Sequence, residues 1–263
     1  MATWQEINQK RKPFVRMGER LFGNMLNEVR RSFIREIRQV QNVQEIDKVI
    51  EEFDFDADWR EAYERFYVRT TPFFARDFMS RYKSDKKHIQ IKEADIWIEK
   101  VLEFVRVTSG KKITSIKNKH IDDIMRAVGS AVSTGLDEGW GMEQIARAIY
   151  GNIGDINNRK ALQIARTETG AAASYGVELG AEELPGNKQK VWISSFTPTS
   201  RGARASDQTN HMAMDGQMVD IGSPFIEPMT GDAIMWPNDP TAEPRQTVNC
   251  NCGHEVIITD EIF

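Results

Sequence analysis

Apolar residues recur at three- and four-residue steps through the first two thirds of the chain, and at alternating or irregular steps after it. From Val15 to Val40 the residues Phe22, Met25, Leu26, Val29, Phe33, Ile37 and Val40 share one helical face, because side chains three and four apart stack on the same side of a 3.6-residue turn. Asn42 to Phe53 predicts a short second helix, and Asp54-Phe55-Asp56 offers N-cap chemistry to a third. That third element is aromatic: Trp59, Tyr63, Phe66 and Tyr67 precede Thr71-Pro72, and Phe73, Phe74, Phe78 and Tyr82 follow. Proline lacks a helical donor and disfavours helical geometry in the residue before it, so a boundary or kink is expected at Thr71. Few basic residues interleave with these rings, which favours a core over a base-stacking surface.

Ser84 to His88 reads as a polar break. A helix follows from Ala94 to Thr108 through Ile96, Trp97, Val101, Leu102 and Val105, closed by Ser109-Gly110-Lys111-Lys112, a stretch that does not fit a phosphate-binding loop. Ile113 to Thr134 gives another apolar face, a turn spans Leu136 to Gly141, and Met142 to Tyr150 is a short helix. Asn157 to Leu179 is the last helix, with Ala161, Ile164, Ala165, Ala172 and Tyr175 on a small-residue face. Arg166 and Glu168 lie within it, about 200° apart around the axis, so they cannot pair with each other. Each is expected to need a separate partner that locks this helix to the rest of the chain.

Past Glu182 the punctuation changes. Lys190 to Ser194 reads as a strand with Val191 and Ile193 on one face and Trp192 on the other, Asp215-Gly216 as a hairpin turn, and Ala233 to Trp236 as a short strand. Thr247 to Ile258 alternates, which predicts a strand with Cys250, Cys252 and His254 on its apolar face.

Composition sharpens this division, because seven of the nine prolines and both cysteines fall at or after Pro185. The expected fold class is α+β, an elongated helical N-terminal region followed by a small strand- and loop-rich C-terminal domain. Its expected divisions are 1–109, 110–184 and 185–263. A net charge of −4 lacks the single-sign basic field of a general nucleic-acid binder and argues for protein partners. Lys10, Arg11, Lys12, Arg30, Arg31, Arg35 and Arg38 make the first helix locally basic, though Glu19, Glu28 and Glu36 intersperse them as on a solvated face. No apolar run is long enough to span a membrane, the first residues lack a signal-peptide pattern, and two cysteines make no disulfide framework. Synthesis in a reducing cytoplasm is the expectation.

The candidate chemistry lies late in the chain. His211, Cys250, Cys252 and His254 supply four nitrogen and sulfur ligands, the number a structural zinc takes, while two thiols packed in a core explain the cysteines equally well. His211 follows Asp207 by four residues, a spacing that suits either an oriented imidazole for acid–base work or a structural pair.

Taken in order, Arg166-Thr167-Glu168, Trp192, Asp207, His211, Asp215-Gly216, Phe225, Pro237-Asn238-Asp239-Pro240 and Asn249-Cys250-Asn251-Cys252 resemble the phage head morphogenesis family. These are the minor head proteins similar to protein F of phage Mu, and the likeness runs from about Gly110 onward. The resemblance implies a minor capsid protein of a tailed phage or prophage, inside the virion near the portal, with portal and capsid or scaffold proteins as partners. It implies roles in procapsid assembly and DNA packaging or ejection, no enzymatic activity, and a possible contact of the basic first helix with packaged DNA. One position departs: the arginine that the family often carries three residues before the histidine is Gln208 here, with Arg201 and Arg204 displaced upstream. The rival expectation is a virion-borne hydrolase or nuclease using His211, Asp207, Glu168 or a cysteine-bound metal.

Overall fold

The computed structural model describes residues 2–53, 59–83 and 94–259, with the side chains of 94–96 and 109–117 outside that description. The expected cap at Asp54 to Asp56 and the polar break at Ser84 to His88 lie outside the described residues. Five helices come first: α1 (Trp4–Ile37), α2 (Gln44–Glu52), α3 (Trp59–Lys83), α4 (Ala94–Glu138) and α5 (Met142–Glu182). Strand β1 (Lys188–Ile193) opens the terminal part, followed by β2 (Met218–Asp220), β3 (Phe225–Ile226), β4 (Ala233–Ile234), the single-turn α6 (Pro244–Thr247) and β5 (Gly253–Ile258). The fold is α+β, long helices followed by small strands and loops.

The helices run longer than the local signals predict. α1 begins well before Val15, because Thr3 accepts from the backbone of Glu6 while the Glu6 carboxylate accepts from Thr3 N at 2.7 Å, a reciprocal capping box that Pro13 does not interrupt. α3 continues through Pro72, so the expected boundary at Thr71 is absent. Ala75, Phe78 and Met79 beyond the proline join the same core as Trp59, Tyr63 and Phe66 before it, and that shared burial offsets the lost donor. α4 crosses residues 109–112 without ending there, so the expected division at 109 falls inside one helix. The two helices expected between Met142 and Leu179 are a single α5.

α5 is the axis of the assembly, packing along α1, α3 and α4. Its small residues make this possible. A Cβ on Gly176 would sit 2.6 Å from the carbonyl oxygen of Thr71, and one on Gly180 would sit 2.8 Å from that of Ala75, so α3 and α5 touch backbone to backbone. A second apolar cluster, with Phe33, Ile37, Ile124, Ile149 and Ile153, ties the far ends of α1, α4 and α5.

β1 is the centre of an antiparallel three-stranded sheet of order β2-β1-β5, with Trp192 opposite His254, and β3 pairs with β4. Both faces of β1 are covered: Val191 and Trp192 are buried alike, and Lys190 is fully buried with its ammonium on Met235 O at 2.7 Å. Val256 of β5 joins the helical core, while Trp192 of β1 closes a small core with Met214, Phe225, Ile234, Cys250 and Cys252.

The close crossing of α3 and α5 predicts opposite outcomes for two glycines of one helix. Gly176→Ala should destabilise the chain by about 1–3 kcal/mol through overpacking. Gly151→Ala, whose added carbon meets nothing within 4 Å, should stabilise it by about 0.5–1 kcal/mol through helix propensity. Urea unfolding midpoints compare them, and equal effects would refute the close approach.

Candidate metal centre

The loop after β1 is folded back onto the strand by backbone bonds. Trp192 N donates to Gln217 O and Gly216 N donates to Trp192 O, both at 2.9 Å, while Ser194 N donates to the Asp215 carboxylate at 2.7 Å. Gly216 sits at φ +76, the left-handed backbone that the second central residue of this turn requires, with Gln217 N on Met214 O at 2.8 Å. The Asp-Gly pair thus builds a turn, though not the expected hairpin, because a short 3-10 helix leads into it and β2 pairs with β1. It also fixes the segment carrying His211, whose carbonyl accepts from the Ser194 hydroxyl.

His211, Cys250 and Cys252 converge in this small core. All three are buried, and their Nδ1 and Sγ atoms lie within 4.8 Å of one another. Nδ1 is 3.4 Å from Cys250 Sγ and 3.9 Å from Cys252 Sγ. Nε2 is 2.7 Å from Gln246 Oε1, an acceptor, which places the ring proton on Nε2 and turns the Nδ1 lone pair to the sulfurs. Gln246 Nε2 donates to Asp232 at 2.7 Å, which settles the amide's orientation, and Asp232 takes a two-pronged contact from Arg245 at 2.9 and 3.0 Å. The hydrogen bonds from Arg245, then from Gln246, pull the Asp232 carboxyl down to about 2. The Trp192 ring stands edge-on to the imidazole at 5.2 Å.

These residues fit a zinc ion. Tetrahedral zinc with sulfur at about 2.3 Å and nitrogen at about 2.0–2.1 Å places an N···S pair about 3.6 Å apart, between the two N···S distances seen. A hydrogen bond from Cys252 and the nearby His211 hold the Cys250 thiol well below its usual range, whereas Cys252, the donor of that bond and itself buried, is pushed up. Among the described residues the group has three ligands.

The fourth expected ligand turns away. His254 Nε2 meets Glu178 of α5 at 2.8 Å, and the single apolar strand face expected to carry both thiols and His254 does not form. Pro244 starts α6, Asn249 takes a left-handed backbone at φ +57, and β5 begins only at Gly253, so both cysteines precede the strand. Asp207 does not orient His211. Its carboxylate accepts from the backbone of Gly202 at 2.9 Å and Arg204 at 3.1 Å.

The upstream motif divides. Glu168 is fully buried and accepts from the Tyr67 hydroxyl at 2.7 Å and the Tyr63 hydroxyl at 3.4 Å, and burial together with this carboxyl keeps both phenols far above their usual range. Thr167 Oγ1 accepts from Asn249 N at 3.0 Å, joining the two motif segments directly. Arg166, expected to be buried against an acceptor of the terminal part, is instead exposed and lines a cleft of about 870 Å³ with Lys119, Arg126, Arg159, Lys160 and Asn249. Its neighbours Ala165, Thr167 and Glu168 face the protein, which leaves the guanidinium the outer side of the helix.

Several supporting residues were invisible as such in the sequence. Arg11 of α1 is buried and donates from Nη1 to Cys252 O at 2.9 Å, and Trp4 Nε1 donates to Asn251 O at 2.9 Å; the Thr3-to-Glu6 spacing was the available signal that the helix reaches this far. Asn238, at φ +66, donates to Thr247 O and Cys250 O at 3.0 Å each, and a Cβ on Gly170 would strike its side chain at 2.3 Å. Arg201 donates to Arg245 O at 2.6 Å and Val248 O at 2.7 Å, which braces the segment before Cys250.

No family model and no solved structure matches the chain. Uncharacterized protein YqbB of Bacillus subtilis is 24% identical over 165 residues, 60% of this chain and 52% of that one. NAD(+)--arginine ADP-ribosyltransferase EFV of Enterococcus faecalis is 29% identical over 147 residues, 55% of this chain and 28% of that one. The chain thus spans about half the length of the first relative and far less of the second.

The Asp232 carboxyl generates a pH prediction. Its folded value lies below that of an unfolded aspartate, so its contribution is present above about pH 4 and is lost as pH falls through about 2. The His211 ring N–H held by Gln246 should keep its slow exchange at pH 4 and lose it toward pH 2. In Asp232→Asn that exchange should be faster and independent of pH in this window. Nitrogen-detected NMR of the histidine rings measures it, and identical profiles in both proteins would refute the relay.

Proposed function

We propose that this chain is a minor head protein of a tailed bacteriophage or prophage, acting beside the portal in procapsid assembly and in DNA packaging or ejection. The ordered motif set that resembles the head morphogenesis family supports this reading. One observation carries it further: motif residues from both halves of the set are spent on joining and folding. Thr167 holds Asn249, Asp215 and Gly216 build the turn beneath His211, and Trp192, Cys250 and Cys252 are core. A set used this way suits a rigid assembly module. Both relatives match more than half of this chain, so their matched stretches overlap, and the shared stretch occurs in proteins of different length and name. A module carried within longer proteins accounts for that. The activity in the name of the Enterococcus protein is not carried over, because the match covers only 28% of it.

In this reading the His211, Cys250 and Cys252 group holds a structural zinc. The ion would join the segment before β5 to the loop after β1, and Gln246 would set the imidazole for ligation.

Two measurements test these readings. Quantitative mass spectrometry of purified particles should find the chain at far fewer copies than the major capsid protein; finding it only in soluble lysate, or finding that it consumes NAD or cleaves nucleic acid, would sink the assembly role. Metal analysis of chain purified without chelators should give about one zinc per chain, and Gln246→Ala should weaken zinc binding by roughly 10–100-fold. A folded, metal-free protein whose thiols are indifferent to added zinc would remove the metal and leave a plain thiol core.

A further inference from the structure

Beside Cys250, between the start of α1 and the middle of α5, lies a cleft of about 240 Å³ whose charged lining is Arg11, Lys12, Arg16 and Arg166, with no carboxylate among its lining residues. Two of the lining side chains are more than nine-tenths buried and have unmet polar atoms: Arg11 Nε and the Thr169 hydroxyl are both shielded from solvent without a hydrogen-bond partner. Buried polar groups in folded proteins are almost always satisfied, so two orphans beside one cationic cleft call for a ligand. A donor hydroxyl, a buried guanidinium held in place through Cys252 O, and exposed cations at the rim are complementary to a tetrahedral oxyanion.

We infer that this cleft binds a phosphate group, gripped by Arg11 and Thr169 at its floor and by Arg16 and Arg166 at its mouth. The site does not depend on the assembly reading. It also gives exposed Arg166 a role that structural pairing inside the chain does not.

Phosphate groups come from small ligands or from a nucleic-acid backbone, and the test separates them. Full-length chain is titrated with inorganic phosphate by calorimetry at low salt, and with fluorescein-labelled twelve-residue oligothymidylate by anisotropy. Arg16→Gln and Arg166→Gln, both changes of exposed residues, should each weaken phosphate binding about tenfold. Thr169→Val should weaken it several-fold with an unchanged melting temperature, which a structural hydroxyl would not allow. Arg35→Gln, on α1 but outside the cleft, should change nothing. If the oligonucleotide binds and phosphate displaces it, the source is a backbone phosphodiester; if phosphate binds and the oligonucleotide does not, it is a small phosphorylated ligand. No binding of either probe, or binding that the cleft variants leave unaltered, overturns the proposal and leaves an ordered water as the partner of Arg11 and Thr169.

Discussion

Residues 249–256 run from the small terminal core into the helical assembly, and the polar groups they bury have to find partners there, since a buried backbone group left unpaired costs as much as a lost hydrogen bond. Each helix that packs on this segment supplies one. α5 gives the Thr167 hydroxyl to Asn249 N, α1 gives Trp4 to Asn251 O and Arg11 to Cys252 O, and α3 gives the Tyr82 hydroxyl to Val256 O. Side chains add the Glu178–His254 contact and an Arg81–Glu255 ion pair at 2.5 Å. The segment carrying the cysteines is therefore braced by helices from earlier in the chain, the first helix among them.

The same docking orders the charges. Lys10 pairs with Asp77 at 2.7 Å, Arg30 stacks on Tyr150 at 3.9 Å, and Arg38 reaches Glu143 at 3.3 Å, so much of the basic first helix is committed within the chain. Lys12 and Arg16 instead line the cleft where α1 meets α5. Lys190, buried beneath the sheet, has its ammonium pushed below the usual range by burial, with Glu178 and Asp239 opposing that shift. Glu227 shows the reverse balance: burial raises its carboxyl, but bonds from Thr230, Asn210 and Met229 outweigh it and hold it lowered. That carboxylate, accepting Asn210 N at 2.7 Å, clips the residue before His211 to the β3–β4 hairpin.

Helical periodicity was legible wherever a face was buried continuously: the aromatic stripe of α3 and the small-residue face of α5 read directly as core. Helix ends were misjudged in one direction. Pro72, Ser109-Gly110 and Gly151-to-Gly154 each look like stops locally, yet α3, α4 and α5 pass through them; in α3 and α5, burial on both sides of the stop outweighs a local loss of about 1–3 kcal/mol. Short strands failed for the opposite reason. Alternation around Cys250 was real in sequence, but one left-handed residue, Asn249, and one helical turn at Pro244 broke it.

By itself the sequence determined the α+β division, the faces that make the helical core, the Asp215-Gly216 turn, and the residue types able to form a sulfur–nitrogen site. Those properties are local: they follow from periodicity, turn chemistry and side-chain type. Tertiary structure alone decided that His211 joins Cys250 and Cys252 while His254 turns to Glu178, that Glu168 is buried against two tyrosines, and that Arg166 is left facing a cleft. Each of these depends on which side of an element meets a neighbour more than thirty residues away. Spacing along a chain fixes relative direction within one element, whereas the choice between core and solvent is made only when two elements pack.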